Sequence, residues 1–361
     1  MKKILTTYIT LFVISFLSVS ASAASWPNST FSNLDYGLYW FGSGDNYQKA
    51  IPGNANPYYN KNKKTIIYIH GWLIDSSVKK IRESFDVSSR GGPEENVAEG
   101  WINAGYNVGI LYWNQFSDES EVKDAEAKIW TAEGPKAMRW KRLNGSYSNV
   151  TGGDNVTQLL YKNLIANLAD FQGPELRIAG HSLGSQLALT LSDALLTGVQ
   201  TNNLRAQLLP QRVALLDYFY SNGGKAYLGN AWVGEESRNI AKRLINNDIA
   251  IEAYRTSVVT SSLLAGDANN ALIDIIAFTE VKPWYFAPWE IDKKHTAARW
   301  YYFWSFSFAS PTIKGTRDDG ATASTSTSRI KELMQSTQKL VQREGVWTRT
   351  PGDDQFIYKN K

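Results

Sequence analysis

The pentapeptide Gly180-His181-Ser182-Leu183-Gly184 constrains this chain more than any other feature. It lies between the apolar run 176–179 and a helical stretch over 185–197, in which Leu187, Leu191 and Leu195 share one face and Gly198 closes the end. Strand, sharp turn and helix, in that order, place a serine on a strained turn. Side chains two residues before it and two after it would collide with the strand or the helix, so glycine stands at both. Such a turn lifts the hydroxyl to the carboxyl end of a sheet, the edge where ligands bind in open α/β architectures.

Runs comparable to 176–179 recur at 65–69, 107–113, 212–216 and 249–254. They are short, apolar and rich in β-branched residues, and helical stretches separate them. Over 156–171, for instance, Leu160, Leu164, Ile165 and Leu168 recur at helical spacing, with Pro174 just beyond. This alternation predicts a mostly parallel sheet flanked by helices. The 361 residues are ample for a large core, and no internal repeat is evident. Residues 316–328 are poor in apolar side chains and read as a loop; 329–343 read as a terminal helix.

With no cysteine, disulfides and thiolate nucleophiles are excluded, and three histidines leave little room for a multi-histidine metal site. A serine hydroxyl needs a base to take its proton, and histidine is the natural one near neutral pH. His181 adjoins Ser182 within the turn, and His70 lies far upstream, so His295, the one histidine downstream of Ser182 outside the turn, is the candidate. It satisfies the α/β-hydrolase order of serine, acid, histidine. The acid belongs after a strand on the same edge as Ser182. Asp217 ends the run 212–216 and has that place, with Asp267 and Asp274 as weaker alternatives; Asp248 precedes a strand and Glu252 lies inside one. Backbone donors for an oxyanion are expected from Leu183, next after the serine, and from Trp72 in His70-Gly71-Trp72.

The combination of Ile66-Ile67-Tyr68-Ile69-His70-Gly71-Trp72, Gly105-Tyr106-Asn107-Val108, the pentapeptide, Leu216-Asp217, and His295 followed by an aromatic-rich segment resembles the pancreatic-type lipase family, which includes secreted phospholipases A1. The resemblance spans roughly residues 60–308. It implies an α/β-hydrolase fold and ester hydrolysis through Ser182, Asp217 and His295, with Trp72 and Leu183 as the oxyanion hole. The family's lid falls at 257–290, here apolar, with a core helix and a packed loop as the alternative; 299–308 (RWYYFWSFSF) reads as buried packing, with an acyl-chain-binding belt as the alternative. Tyr112 stands where the family has an aspartate, Tyr218 where it has a proline, and no room remains for the pancreatic C-terminal β-sandwich.

Residues 1–23 read as a secretory leader: Lys2 and Lys3, an apolar stretch to Val19, then Ala21-Ser22-Ala23. The expected organisation is a leader over 1–23, an α/β-hydrolase catalytic domain over 24–310, and a loop-and-helix extension over 311–361. The expected protein is secreted and acts on lipid esters at a lipid–water interface, with peripheral membrane contact. It needs no cofactor or catalytic metal. A formal charge of +4 gives no case for nucleic acid. The rivals are a phospholipase A1, an esterase for small esters, and a non-catalytic binding protein on a hydrolase scaffold.

Overall fold

The computed structural model describes residues 26–259, 266–344 and 349–361. The leader reading therefore falls outside the described residues. In chain order the strands are Gly37–Phe41 (β1), Tyr47–Lys49 (β2), Thr65–Ile69 (β3), Asn107–Tyr112 (β4), Arg139–Lys141 (β5) and Tyr147–Asn149 (β6). Leu176–His181 (β7), Arg212–Leu216 (β8), Ala250–Arg255 (β9), Ala277–Glu280 (β10), Gln338–Glu344 (β11) and Gln355–Asn360 (β12) follow. The longer helices are Val122–Trp130 (α1), Val156–Asn167 (α2), Gly184–Gln200 (α3), Val233–Asn246 (α4), Ile291–Ser305 (α5) and Thr327–Gln335 (α6).

Ten strands make one sheet in the order β2-β1-β4-β3-β7-β8-β9-β10-β11-β12, and β5 and β6 form a separate hairpin. From β4 through β11 neighbours run parallel; β1, β2 and β12 are antiparallel to theirs. An antiparallel start, an exchange of β4 and β3, and outward growth from β7 define the α/β-hydrolase fold. The chain reverses direction across the sheet between β3 and β7, which makes that junction the topological switch point.

The strands are buried on both faces, as crossover helices require. Along β3 the side chains alternate. Ile67 and Ile69 pack with α2, α3 and α4 on one side, and Ile66 and Tyr68 pack with the aromatic half of α5 on the other. Asn155 caps α2 through a reciprocal bond with Gln158, which fixes where that helix begins. Leu187, Leu191 and Leu195 of α3 are buried. Each contributes roughly 2 kcal/mol by leaving water.

Three readings of the sequence are corrected here. Residues 311–361 are not an extension outside the domain, because β11 and β12 complete the main sheet and α6 packs on it. The helix expected over 329–343 stops at Gln335, and strand β11 follows. The expected cover over 257–290, of which 260–265 lie outside the described residues, contains β10, whose Ala277 and Phe278 are core with Leu272 and Ile273. Leu272, Ile273 and Ile276 are the buried approach to that strand. Among its described residues, Val258, Trp284 and Trp289 are the large apolar side chains left exposed.

Candidate active site

The nucleophile turn begins with backbone sterics. Ser182 sits at φ +56°, a left-handed conformation uncommon for a residue with a β-carbon. A β-carbon on Gly180 would stand 2.0 Å from the Gly184 carbonyl oxygen, and one on Gly184 would stand 2.2 Å from that of Ile69. Both neighbours are backbone and cannot yield, so the flanking glycines are obligatory. The Ser182 amide donates to the Leu216 carbonyl at 3.0 Å and ties the turn to β8.

Asp217 ends β8, at φ +41°, with its amide donating to Tyr254 of β9 at 2.7 Å. Its carboxylate is fully buried and well supplied with donors. Oδ1 accepts the amides of Thr256 (3.0 Å) and Ser257 (3.2 Å), while Oδ2 accepts the Ser257 hydroxyl and faces His295 Nδ1 at 2.6 Å. Burial alone pushes this carboxyl up. The bond to His295, its charge and the Ser257 and Thr256 donors outweigh burial, and the pKa lies below the ordinary carboxylate value. An acceptor on Nδ1 places the neutral imidazole's proton there and leaves Nε2 as the basic nitrogen.

His295 stands on the second turn of α5, carried by a helix whose later residues Trp300, Tyr302 and Phe303 are core. Two side chains from the sheet edge hold that turn. Thr256 Oγ1 donates to the Lys294 carbonyl at 2.6 Å, and His181 Nε2 donates to the His295 carbonyl at 3.0 Å. The His181 and His295 rings lie 4.5 Å apart. His181 is the residue before Ser182, so this contact ties the turn of α5 that carries His295 to the turn that carries Ser182. Burial, reinforced by the His295 charge, lowers the His181 pKa to about 3, so this ring stays neutral. Beneath the site, Glu83 pairs with Arg299 at 2.6 Å and accepts the Tyr68 hydroxyl at 2.6 Å.

The loop after β3 abuts Ser182. A β-carbon on Gly71 would stand 2.8 Å from Ser182 Cβ and 3.3 Å from its Oγ. Leu183 is the N-terminal boundary residue of α3, where the helix's partial positive charge lies. Neither the Leu183 amide nor the Trp72 amide has a protein acceptor among the described residues. Two free donors flanking a serine can receive a developing oxyanion.

The structure thus brings Ser182, Asp217, His295, Gly71-Trp72 and Leu183 to one sheet edge, at the switch point. Asp248 is at the opposite end of β9 and pairs with Lys331, and Glu252 is locked to Arg212 in the core. Asp267 accepts the Asn269 amide, away from the histidine, and Asp274 follows the short helix Asn270–Ile273. Sequence reasoning missed Thr256, Ser257 and the contact of the His181 ring. The histidine had a signal in the small number of its kind; the hydroxyls had none. Among the described residues no group of three or more His, Asp or Glu is placed to hold a metal ion, and no helix is long and apolar enough to cross a membrane.

No protein-family profile matches the chain, and no curated protein does. Solved structures show distant likeness. The acylaminoacyl peptidase of Pyrococcus horikoshii matches at 10% identity and TM-score 0.34 over 75% of this chain, which spans 41% of that one. A siderophore hydrolase of Aspergillus nidulans matches at 11% identity and TM-score 0.32 over 77% of this chain and 97% of its own. A membrane phospholipase A described as a bacterial virulence factor matches at 11% identity and TM-score 0.30, over 77% and 84%. Strand order and register, not these likenesses, define the fold.

Proposed function

We propose that this chain is a secreted serine hydrolase of lipid esters, a triacylglycerol lipase working through Ser182, Asp217 and His295. The observation that carries the reading is the 2.6 Å contact of His295 Nδ1 with a buried Asp217, set beside a serine held at φ +56°. His295 Nε2 takes the Ser182 proton as Oγ attacks the ester carbonyl. The Trp72 and Leu183 amides receive the oxyanion; one such donor is worth about 3 kcal/mol. His295 then protonates the leaving alcohol, and an acyl-enzyme remains on Ser182. Water, deprotonated by His295, releases the fatty acid. No cofactor takes part in these steps.

Lipid rather than small-ester substrates are supported by the exposed Val258, Trp284 and Trp289. Val258 follows the serine that bonds Asp217, and Trp289 lies six residues before His295. Apolar side chains beside a site favour long acyl chains and a lipid surface. The test is a panel of triacylglycerol, phosphatidylcholine and short-chain ester on the parent chain and Ser182→Ala. Triacylglycerol is expected to turn over fastest, and Ser182→Ala to lose about five orders of magnitude. Preference for phosphatidylcholine would make the chain a phospholipase, and preference for the soluble ester a small-ester esterase. Equal activity of Ser182→Ala would end the proposal.

A further inference from the structure

The loop after β3 is anchored at several points. Trp72 Nε1 donates to the Glu119 carbonyl at 2.7 Å, and the buried Asp118 carboxylate accepts the amides of Asp75 (2.7 Å) and Ser77 (2.8 Å). The anchor nearest Ser182 is His70. Its ring is fully buried and stacked on Trp113, with centroids 5.8 Å apart and planes 16° apart. The Trp113 backbone N–H donates to His70 Nε2 at 3.1 Å. A nitrogen that accepts cannot carry the proton, so the proton sits on Nδ1. Nδ1 then donates to the Gly71 carbonyl at 2.8 Å. Trp113 Nε1 also donates to the His70 carbonyl at 2.7 Å, locking the ends of β3 and β4 together.

The Gly71 carbonyl and the Trp72 N–H belong to one planar trans peptide, in which they point in opposite directions. Holding the carbonyl therefore aims the amide. We infer that His70 is a positioning residue of the reaction: it grips the Gly71 carbonyl and so turns the Trp72 N–H away from its own ring, towards the oxyanion formed at Ser182. The inference rests on the ester-hydrolase reading above and adds to it a determinant outside the triad. Burial lowers the ring's pKa to about 4, so the ring stays neutral across the neutral range and Nε2 remains an acceptor for the Trp113 N–H. Trp113 completes the device from the next strand.

The test compares His70→Asn with His70→Gln. Asparagine presents its amide where Nδ1 lies; glutamine presents it where Nε2 lies and cannot reach the Gly71 carbonyl. Both are measured for kcat and KM on a p-nitrophenyl ester. Affinity is measured for a trifluoromethyl ketone, which adds to Ser182 as a tetrahedral oxyanion, and thermal midpoints are matched. His70→Gln is expected to lose about 100-fold in kcat and in ketone affinity, with KM within about threefold, while His70→Asn stays within about fivefold of the parent. A folded His70→Gln that keeps its kcat, or an equal loss in both variants, overturns the inference. Absence of ester turnover in the parent chain sinks the ester-hydrolase reading instead, whereas an active parent with unaffected variants sinks this inference alone.

Discussion

At the residue scale the site is a matter of donors arranged around one buried carboxylate. Asp217 is held by two amides and a hydroxyl from the turn that ends β9, and the same turn grips α5 through Thr256. Asp217 and the turn that carries His295 are therefore referenced to one short piece of backbone. Ser257→Ala removes the hydroxyl and leaves both amides in place. Its kcat is expected to fall about tenfold with KM within about twofold, because a hydrogen bond to a charged group is lost while substrate contacts remain. Steady-state kinetics on a soluble ester measures this, and an unchanged kcat would show that the hydroxyl contributes nothing to placing Asp217. The contact of His295 with Asp217 was legible in the sequence because the order of serine, acid and histidine restricts the candidates. Thr256 and Ser257 were not, since a hydroxyl after a strand looks like any other until the carboxylate it serves is placed in space.

At the scale of elements, the central parallel strands were legible because they are continuous apolar runs. The edges were not. β11 reads Gln338-Lys339-Leu340-Val341-Gln342-Arg343-Glu344, and Ile330, Leu333 and Met334 just before it set up a helical period that masks the change of structure at Thr337. β12 buries chiefly Phe356, too little for a periodicity. The sequence around β10 does not separate cover from core, because burial within a sheet and apolarity at a lid look alike. Phe356 is fully buried and packs with Ile313, Ile330, Leu340 and Ala321, so it holds the C-terminal edge to the rest of the sheet. Phe356→Ala is expected to cost about 3–4 kcal/mol of stability, read from urea denaturation. A loss below about 1 kcal/mol would mean that β11 and β12 are dispensable to the domain.

At the scale of the whole molecule, opposing ionisations shape stability against pH. His70 and His181 stay neutral in the fold down to about pH 4 and about pH 3, whereas an unfolded chain protonates its histidines near 6.5. The unfolded state then binds more protons, so their contribution is intact above 6.5 and declines as pH falls towards 4. Asp354 acts in the opposite sense. Burial pushes its carboxyl from 3.8 up to about 7, so its contribution is present below 3.8 and is lost as pH rises to 7. Asp354→Asn removes that offset, and its thermal midpoint is expected to drop more steeply than the parent's between pH 7 and pH 4; parallel curves would contradict the assignment. The catalytic claim itself is tested most directly by intact-protein and peptide mass after treatment with a fluorophosphonate. The expected result is a single adduct, on Ser182, formed at least about 100-fold more slowly in His295→Ala. A folded chain that takes up no adduct, or carries it on another serine, would contradict the reading of this sheet edge as a nucleophilic site.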